Sequence, residues 1–294
     1  MIGYSITRKE LETLIEAEKP GWLKKAAIRT AEFRKNGKYE EKSNIWSEIK
    51  PAYMRLQGDC KCSYCERKLE SIDYGKGEQD VEHFRPKSSV REWKMPKNLA
   101  DQGIKATTVP GTGGYFLLPY NLFNYSASCK PCNSVLKSDY FPIAGTYDLS
   151  GDEPETLQKE KPYLIYPIGD FDCKPEDLIK FHGVSPQAAV KTGHDRARAL
   201  VTIEFFELDD EACRKNLFRE RAMIICTLFP QMVNFTGSSS ATAKKTAQNI
   251  IDGFTSPRSP HTNCARCFKQ LFKTDPVEAE ALFERAGEFI ASVS

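Results

Sequence analysis

Cys62-Ser63-Tyr64-Cys65, Asp80-Val81-Glu82-His83-Phe84-Arg85-Pro86-Lys87 and Cys129-Lys130-Pro131-Cys132-Asn133 are the stretches on which the reading of this chain turns. The outer two are Cys-x-x-Cys pairs, and four thiolates offered in two close pairs are what a closed tetrahedral structural zinc requires. Cys62, Cys65, Cys129 and Cys132 are therefore the expected zinc ligands. The competing reading is redox-active or merely buried thiols. Cys60 lies beside the first pair and could replace a neighbour or have no role.

Between the pairs, an extended Asp80–Lys87 segment puts Asp80 and Glu82 on one side of a strand, with His83 next to them. A histidine of nearly neutral pKa can accept a proton from water, and a divalent ion on an adjacent carboxylate stabilises charge developing on a phosphate. Taken alone, the tripeptide also fits a surface acid beside an incidental histidine. The second pair changes the balance. Zinc at Cys129 and Cys132 would pin the start of a helix opening with Asn133, and amide and carboxylate oxygens are ligands that magnesium accepts.

Outward from this centre, the chain has 294 residues and a formal net charge of +2, so phosphate affinity must come from local patches and not from the bulk charge. Ten cysteines in a chain that starts without a basic, apolar leader suggest metal where they pair and buried small side chains where they are single. Cys173, Cys213 and Cys226 are expected in the core. No apolar run approaches bilayer length, and a cytoplasmic location without membrane contact is expected.

The fold class expected is α+β: a core at 58–145 with an insertion at 88–114, flanked by helical regions at 1–57 and 193–294 and by a small β and loop appendage at 146–192. In the first region Ile45, Ile49 and Tyr53 recur at steps of four. Its basic run, with Lys24, Lys25, Arg29, Arg34, Lys35 and Lys38, reads either as a phosphate-facing surface or as a solvated helix face. The insertion is punctuated by Met95-Pro96, Val109-Pro110 and Gly111-Thr112-Gly113-Gly114, which predicts a flexible excursion beside the site. Tyr163-Leu164-Ile165-Tyr166-Pro167 reads as a short strand ended by proline. In the last region Leu217, Ile224, Ile225 and Leu228 share one helical face, Asp275 caps a final helix with Pro276 at its first position, and Thr236 to Ala241 reads as a linker.

The order Cys-x-x-Cys, acidic-His, Asn, Cys-x-x-Cys-Asn resembles the HNH endonucleases of the His-Me finger superfamily, in the four-cysteine zinc subtype. The resemblance covers about residues 58 to 142. It implies a ββα-metal core with a structural zinc, in which His83 activates the attacking water, Glu82 and Asn133 hold one catalytic Mg2+ or Mn2+, and a central asparagine orients the histidine through the loop. Asn124 fits that last role best and Asn121 is the reserve. Two departures stand out: Asn133 occupies a position where many members have histidine, and Lys137 lies one residue further on than usual.

The flanks, Glu82 to Lys87, Pro162 to Pro167 and the helices from Val201 to Arg221, look like the PtuB-type HNH proteins of Septu and retron anti-phage systems. That resemblance implies an effector nuclease held inactive until infection and a PtuA-like ATPase partner.

Arg85, Lys87 and Lys137 are the expected nucleic-acid contacts, with Arg91, Lys94 and Lys97 beyond them, since such affinity rests largely on cationic contacts to phosphates. Nothing resembles a base-reading helix; DNA is favoured as substrate and RNA is the alternative. Cys264-Ala265-Arg266-Cys267, with His261, could form a second zinc site, or simply place two small side chains on one helix face. His182 and His194 read as structural or solvent-facing. The competing function is a zinc-stabilised module that binds nucleic acid or protein without cutting, which has no chemical need for Glu82, His83 and Asn133 together.

Overall fold

The computed structural model describes residues 1–74, 78–111 and 113–293. The chain opens with α1 (Arg8–Glu18), α2 (Trp22–Asn36) and α3 (Lys50–Leu56). The start of α1 is fixed by a capping box: Thr7 Oγ1 accepts from the Glu10 amide at 3.3 Å, and the Glu10 carboxylate accepts from the Thr7 amide at 2.8 Å. Leu11 and Ile15 then fall one turn apart on the buried face. The basic run on and after α2 is a solvated face, where Arg29, Arg34 and Lys38 pair with Glu41, Asp152 and Glu40.

Helix α3 positions the central hairpin, β1 (Gln79–His83) and β2 (Tyr125–Cys129), which pair antiparallel with Gln79 opposite Cys129 and His83 opposite Tyr125. Gln57, at the end of α3, uses its side-chain amide as a substitute strand edge: Oε1 accepts from the Ala127 amide at 2.6 Å and Nε2 donates to the Ala127 carbonyl at 2.9 Å. Both backbone groups of a buried residue are thereby satisfied without a third strand. Immediately after β2 comes a π-helical turn, Pro131–Lys137, in which the Ser138 amide reaches back to the Asn133 carbonyl at 2.7 Å.

The insertion is not a free excursion. Val90, Leu99 (on α4, Lys97–Ala100) and Ile104 are buried in the main core, and the Thr107 amide donates to the Ile143 carbonyl at 2.8 Å. Its return is equally close: a Cβ on Gly114 would stand 2.5 Å from the Lys87 backbone. Thr112 lies outside the described residues.

Residues 163–167 form no strand. They are buried as an irregular segment, tied by the Tyr4 amide to the Pro167 carbonyl at 2.7 Å, because Tyr4 and Ile168 make only an isolated bridge. The appendage's hairpin is instead β3 (Ile179–His182) with β4 (Ser185–Ala188), preceded by the single turn α5 (Pro175–Leu178).

The remainder is helical: α6 (Gly193–Phe205), α7 (Lys215–Gly237), α8 (Ala241–Thr255), α9 (Thr262–Thr274) and α10 (Pro276–Val293). Asp275 caps α10 as expected, its Oδ1 accepting from the Glu278 amide at 3.1 Å. The expected linker shrinks to a turn, since α7 runs through Gly237 and Ser240 already caps α8. A main hydrophobic core runs from Met1 to Leu217, and a second gathers Ile225, Leu228, Cys264, Phe268 and Leu282 from α7, α9 and α10. Cys173 and Cys213 are exposed and so lie outside the core, whereas Cys226 is half-buried and packs against the second core. Cys213 sits in the turn before α7, and Cys173 follows Asp172, whose carboxylate is committed to Arg198. Among the described residues no helix is long and apolar enough to cross a membrane. The fold is thus α+β.

Candidate metal centre and active site

The first Cys-x-x-Cys pair lies on a tight knuckle. The Glu66 amide donates to the Cys62 carbonyl at 3.1 Å, Glu66 takes a positive φ of 60°, and the Ser63 amide docks on the Ala127 carbonyl at 3.0 Å. The second pair spans the end of β2 and the start of the π-turn. All four thiols of Cys62, Cys65, Cys129 and Cys132 are buried, with sulfurs within 4.8 Å of one another. Cys65 Sγ and Cys129 Sγ stand 3.8 Å apart. Thiolates at ~2.3 Å from one tetrahedral zinc would be separated by ~3.8 Å. The group fits zinc, and its surroundings fit the negative charge of such a site: the Cys129 amide approaches Cys62 Sγ at 3.4 Å and Arg214 Nη2 approaches Cys132 Sγ at 3.5 Å. Cys60 is buried but outside the cluster.

Among the described residues no second such group occurs. His261 Nε2 lies 2.8 Å from Glu220, Cys264 Sγ faces the Gly183 carbonyl at 3.4 Å, and Cys267 Sγ faces Asn263 Oδ1 at 3.5 Å. His182 is exposed beside Glu278, and His194 packs on Tyr163.

At the far end of the hairpin lies a cleft of about 360 Å³ that includes Asp80, Glu82, His83, Lys87, Asn133 and Asp139 in its lining. His83 is held edge-on between Trp46 and Tyr125, with ring centroids 5.0 Å from each. Its Nε2 lies 3.2 Å from the Pro119 carbonyl. A carbonyl only accepts, so Nε2 carries the proton in the neutral ring and Nδ1 keeps its lone pair. Burial, followed by the charge of Lys87, pushes His83 well below the usual histidine range, against the opposing bond to Pro119. The ring is therefore neutral at pH 7, as a general base must be.

The Asn124 side chain makes its hydrogen bonds to backbone and not to His83. Its Oδ1 accepts from the Arg85 amide at 2.7 Å, and its Nδ2 donates to the carbonyls of Arg85 at 3.0 Å and Leu118 at 3.2 Å. It thus clasps the chain leaving β1 to the loop whose next residue, Pro119, holds the histidine. Asn121 instead caps the turn before Asn124, its Oδ1 accepting from the Phe123 amide at 3.0 Å.

Glu82 is buried, and its Oε1 faces Lys137 Nζ at 3.3 Å as an ion pair without hydrogen-bond geometry. Burial, opposed by Lys137, pushes the Glu82 carboxyl up to about 7. Asn133 reaches a different carboxylate: its Nδ2 lies 3.3 Å from Asp80 Oδ2. Lys137 closes the π-turn, which brings it onto Glu82.

Two of the three expected nucleic-acid contacts are placed elsewhere. Arg85 is 0% exposed; its Nε lies 3.0 Å from Glu160 and its Nη2 donates to the Leu157 carbonyl at 3.1 Å. Lys137 is also 0% exposed, paired with Glu82. Neither offers charge to a polymer at the surface. Lys87 does line the cleft, with Nζ 4.5 Å from the centre of the Trp46 ring. Sequence reading missed Trp46, Lys50 and Asp139, which share the cleft. The first two come from a remote segment with no motif, and Asp139 follows the π-turn in a stretch with no distinguishing pattern.

The chain is similar to the Septu protein PtuB of Bacillus mycoides (strain KBAB4), with 28% identity over 168 residues, covering 57% of this chain and 50% of that protein. It thus spans about half the length of the curated relative it matches. No protein-family model and no solved structure matches it. The similarity supports a PtuB-like relationship, and the four cysteines fit a zinc site.

Proposed function

We propose that this chain is a divalent-metal-dependent nuclease with an HNH, ββα-metal core, hydrolysing phosphodiester bonds as the cytoplasmic effector of an anti-phage system that includes a PtuA-like ATPase. The observation that carries the reading is His83: buried, neutral and tied through Nε2 to Pro119, in a cleft shared with Asp80, Glu82, Asn133 and Asp139.

The residues present fit a hard cation. Glu82 lines the cleft with its Oε1 3.3 Å from Lys137 Nζ, an ion pair without hydrogen-bond geometry that leaves the carboxylate lone pairs unengaged, and the cleft gathers carboxylate and amide oxygens of the kind Mg2+ or Mn2+ takes. Glu82 and Asn133 would hold the ion. Its chemistry, when bound, is to offset charge growing on the phosphate. His83 Nδ1 takes the proton of the attacking water, the new P–O bond forms as the bond to the leaving sugar oxygen breaks, and that oxygen is protonated from solvent. Lys87 and Lys50, which line the cleft, offset phosphate charge as the strand enters. The similarity to Septu protein PtuB supports the defence context and the ATPase partner.

The test is cleavage of duplex DNA, single-stranded DNA and tRNA by the purified chain with Mg2+ or Mn2+, alone and with the candidate ATPase. Activity in at least one arm, lost in a folded His83→Ala variant, is the expected result. Equal cleavage by both proteins would sink the reading, and tight binding without cleavage in every arm would favour a zinc-stabilised binding module.

A further inference from the structure

Strand β1 and the π-turn face each other through two side-chain rungs. Residues two apart on a strand share a face, so Asp80 and Glu82 point the same way. Opposite them stand Asn133 and Lys137, with Asp80 Oδ2 3.3 Å from Asn133 Nδ2 and Glu82 Oε1 3.3 Å from Lys137 Nζ. Each rung joins one proposed cation ligand to one residue that the proposed chemistry leaves unused.

The Asp80 rung fixes an atom. A carboxylate accepts and cannot donate, so the atom of Asn133 turned toward Asp80 must be the amide nitrogen. The oxygen, Oδ1, is turned the other way. An unrestrained amide presents either end with little preference, and a cation needs only one of them. Asp80 Oδ2 is already engaged, receiving Lys130 Nζ at 2.5 Å as well as Asn133 Nδ2, so this oxygen serves the rung and not a cation. Partners that hold the second atom of a metal ligand are the usual means of orienting it.

We infer that Asp80 is a positioning residue, which locks the Asn133 amide so that its oxygen, and not its nitrogen, is offered to the divalent cation. The inference rests on the metal-dependent reading of the cleft. Lys130, exposed at the rim, pairs with Asp80, and the Asp80–Asn133 contact holds the start of the π-turn against β1.

The experiment is direct Mn2+ binding to the zinc-loaded full chain, read by calorimetry and by the electron paramagnetic resonance of free Mn2+, with thermal melting to confirm folding. Asp80→Ala should weaken Mn2+ roughly 10- to 100-fold, whereas Asp80→Asn, whose side-chain oxygen still accepts from Asn133, should stay within about threefold of the parent. If Asp80→Asn falls as far as Asp80→Ala, the charge itself is a ligand and the inference is wrong. Unchanged binding in Asp80→Ala also overturns it. Should Asp80→Ala not fold, Asp80→Leu, which is nearly isosteric and also lacks an acceptor for the Asn133 amide, takes its place and should weaken Mn2+ as far. Unchanged binding in that variant overturns the inference. Asn133→Ala is the control for the reading beneath it. If that variant binds Mn2+ like the parent, the cation site and the inference both fall; if it weakens binding while Asp80→Ala does not, the inference alone falls.

Discussion

Nε2 of His83 stands 3.2 Å from the carbonyl oxygen of Pro119, and the hydroxyl of Tyr125 donates to that same oxygen. The bond fixes the ring's tautomer, while burial, followed by the charge of Lys87, sets its pKa well below 6.5. A general base works only when unprotonated, so activity is present above the folded pKa and lost as pH falls through it. At saturating metal we expect kcat/KM to hold from pH 8 down to 6.5 and to fall only below that. A histidine-dependent acid limb at or above pH 6.5 would contradict the placement.

Limiting metal should behave differently. The Glu82 carboxyl is pushed up to about 7, chiefly by burial, with Lys137 opposing. Above that pH the ligand is ionised; below it a proton must be displaced for the cation to bind. Apparent Mn2+ affinity should then drop by about tenfold per pH unit below 7. The drop should vanish in Glu82→Gln, whose affinity is low at every pH. A pH-independent affinity in the parent between 5.5 and 8 would argue against Glu82 as ligand.

Asn124→Ala removes three hydrogen bonds to buried backbone. Each orphaned group costs about 1–3 kcal/mol, so a loss of roughly 3 kcal/mol in urea unfolding is expected. Activity should fall further than stability explains, because the loop that delivers Pro119 is released. Asn121→Ala, which loses a turn contact, should cost about 1 kcal/mol and leave kcat nearly unchanged.

Arg85 and Lys87 are two residues apart and should give opposite phenotypes. Arg85→Met leaves Glu160 buried without its ion-pair partner and should destabilise the fold by about 3–5 kcal/mol without altering nucleic-acid affinity. Lys87→Ala should leave the melting temperature nearly unchanged, weaken binding, and reduce the slope of log K against log salt by about 1. Equal loss of binding in both would return Arg85 to the surface role expected from sequence.

Metal analysis should give about one zinc per chain. Changing Cys62 and Cys129 together to serine should remove it and unfold the hairpin, since a structural zinc site contributes folding energy directly. Replacement of Cys264 and Cys267 should leave the zinc content as it was. A folded, zinc-free protein would refute the assignment.

What was legible in the sequence was local. Two cysteines three positions apart can share one ion wherever the chain goes, so the four ligands could be read before their meeting was seen. Glu82, His83 and Asn133 are nominated by spacing and by family resemblance, and the structure places all three in one cleft. The burial of Arg85 was not legible because a basic residue beside β1 looks the same whether its partner is solvent or a carboxylate 75 positions away. Trp46 was invisible for the same reason: its contact with His83 exists only after the turn Trp46–Ile49 has docked on β1. Residues 163–167 show that an apolar run predicts burial better than it predicts a strand, because burial needs hydrophobicity alone and a strand also needs a neighbour with free backbone groups. The pairing of Lys137 with Glu82 was not legible either, because it depends on the π-turn Pro131–Lys137 lying against β1.

The register of the hairpin pairs Gln79 with Cys129 at one end and His83 with Tyr125 at the other. A two-stranded ribbon this short has little of its own to prevent a slip, and a slip of one residue would turn Glu82 away from the π-turn and His83 out from between its aromatic neighbours. A zinc ion held by Cys62, Cys65, Cys129 and Cys132 would pin Cys129 at one point. Such an ion would serve as an index mark at one end of β2 for the other, keeping Asp80, Glu82 and His83 on their faces by a count of residues from a fixed sulfur.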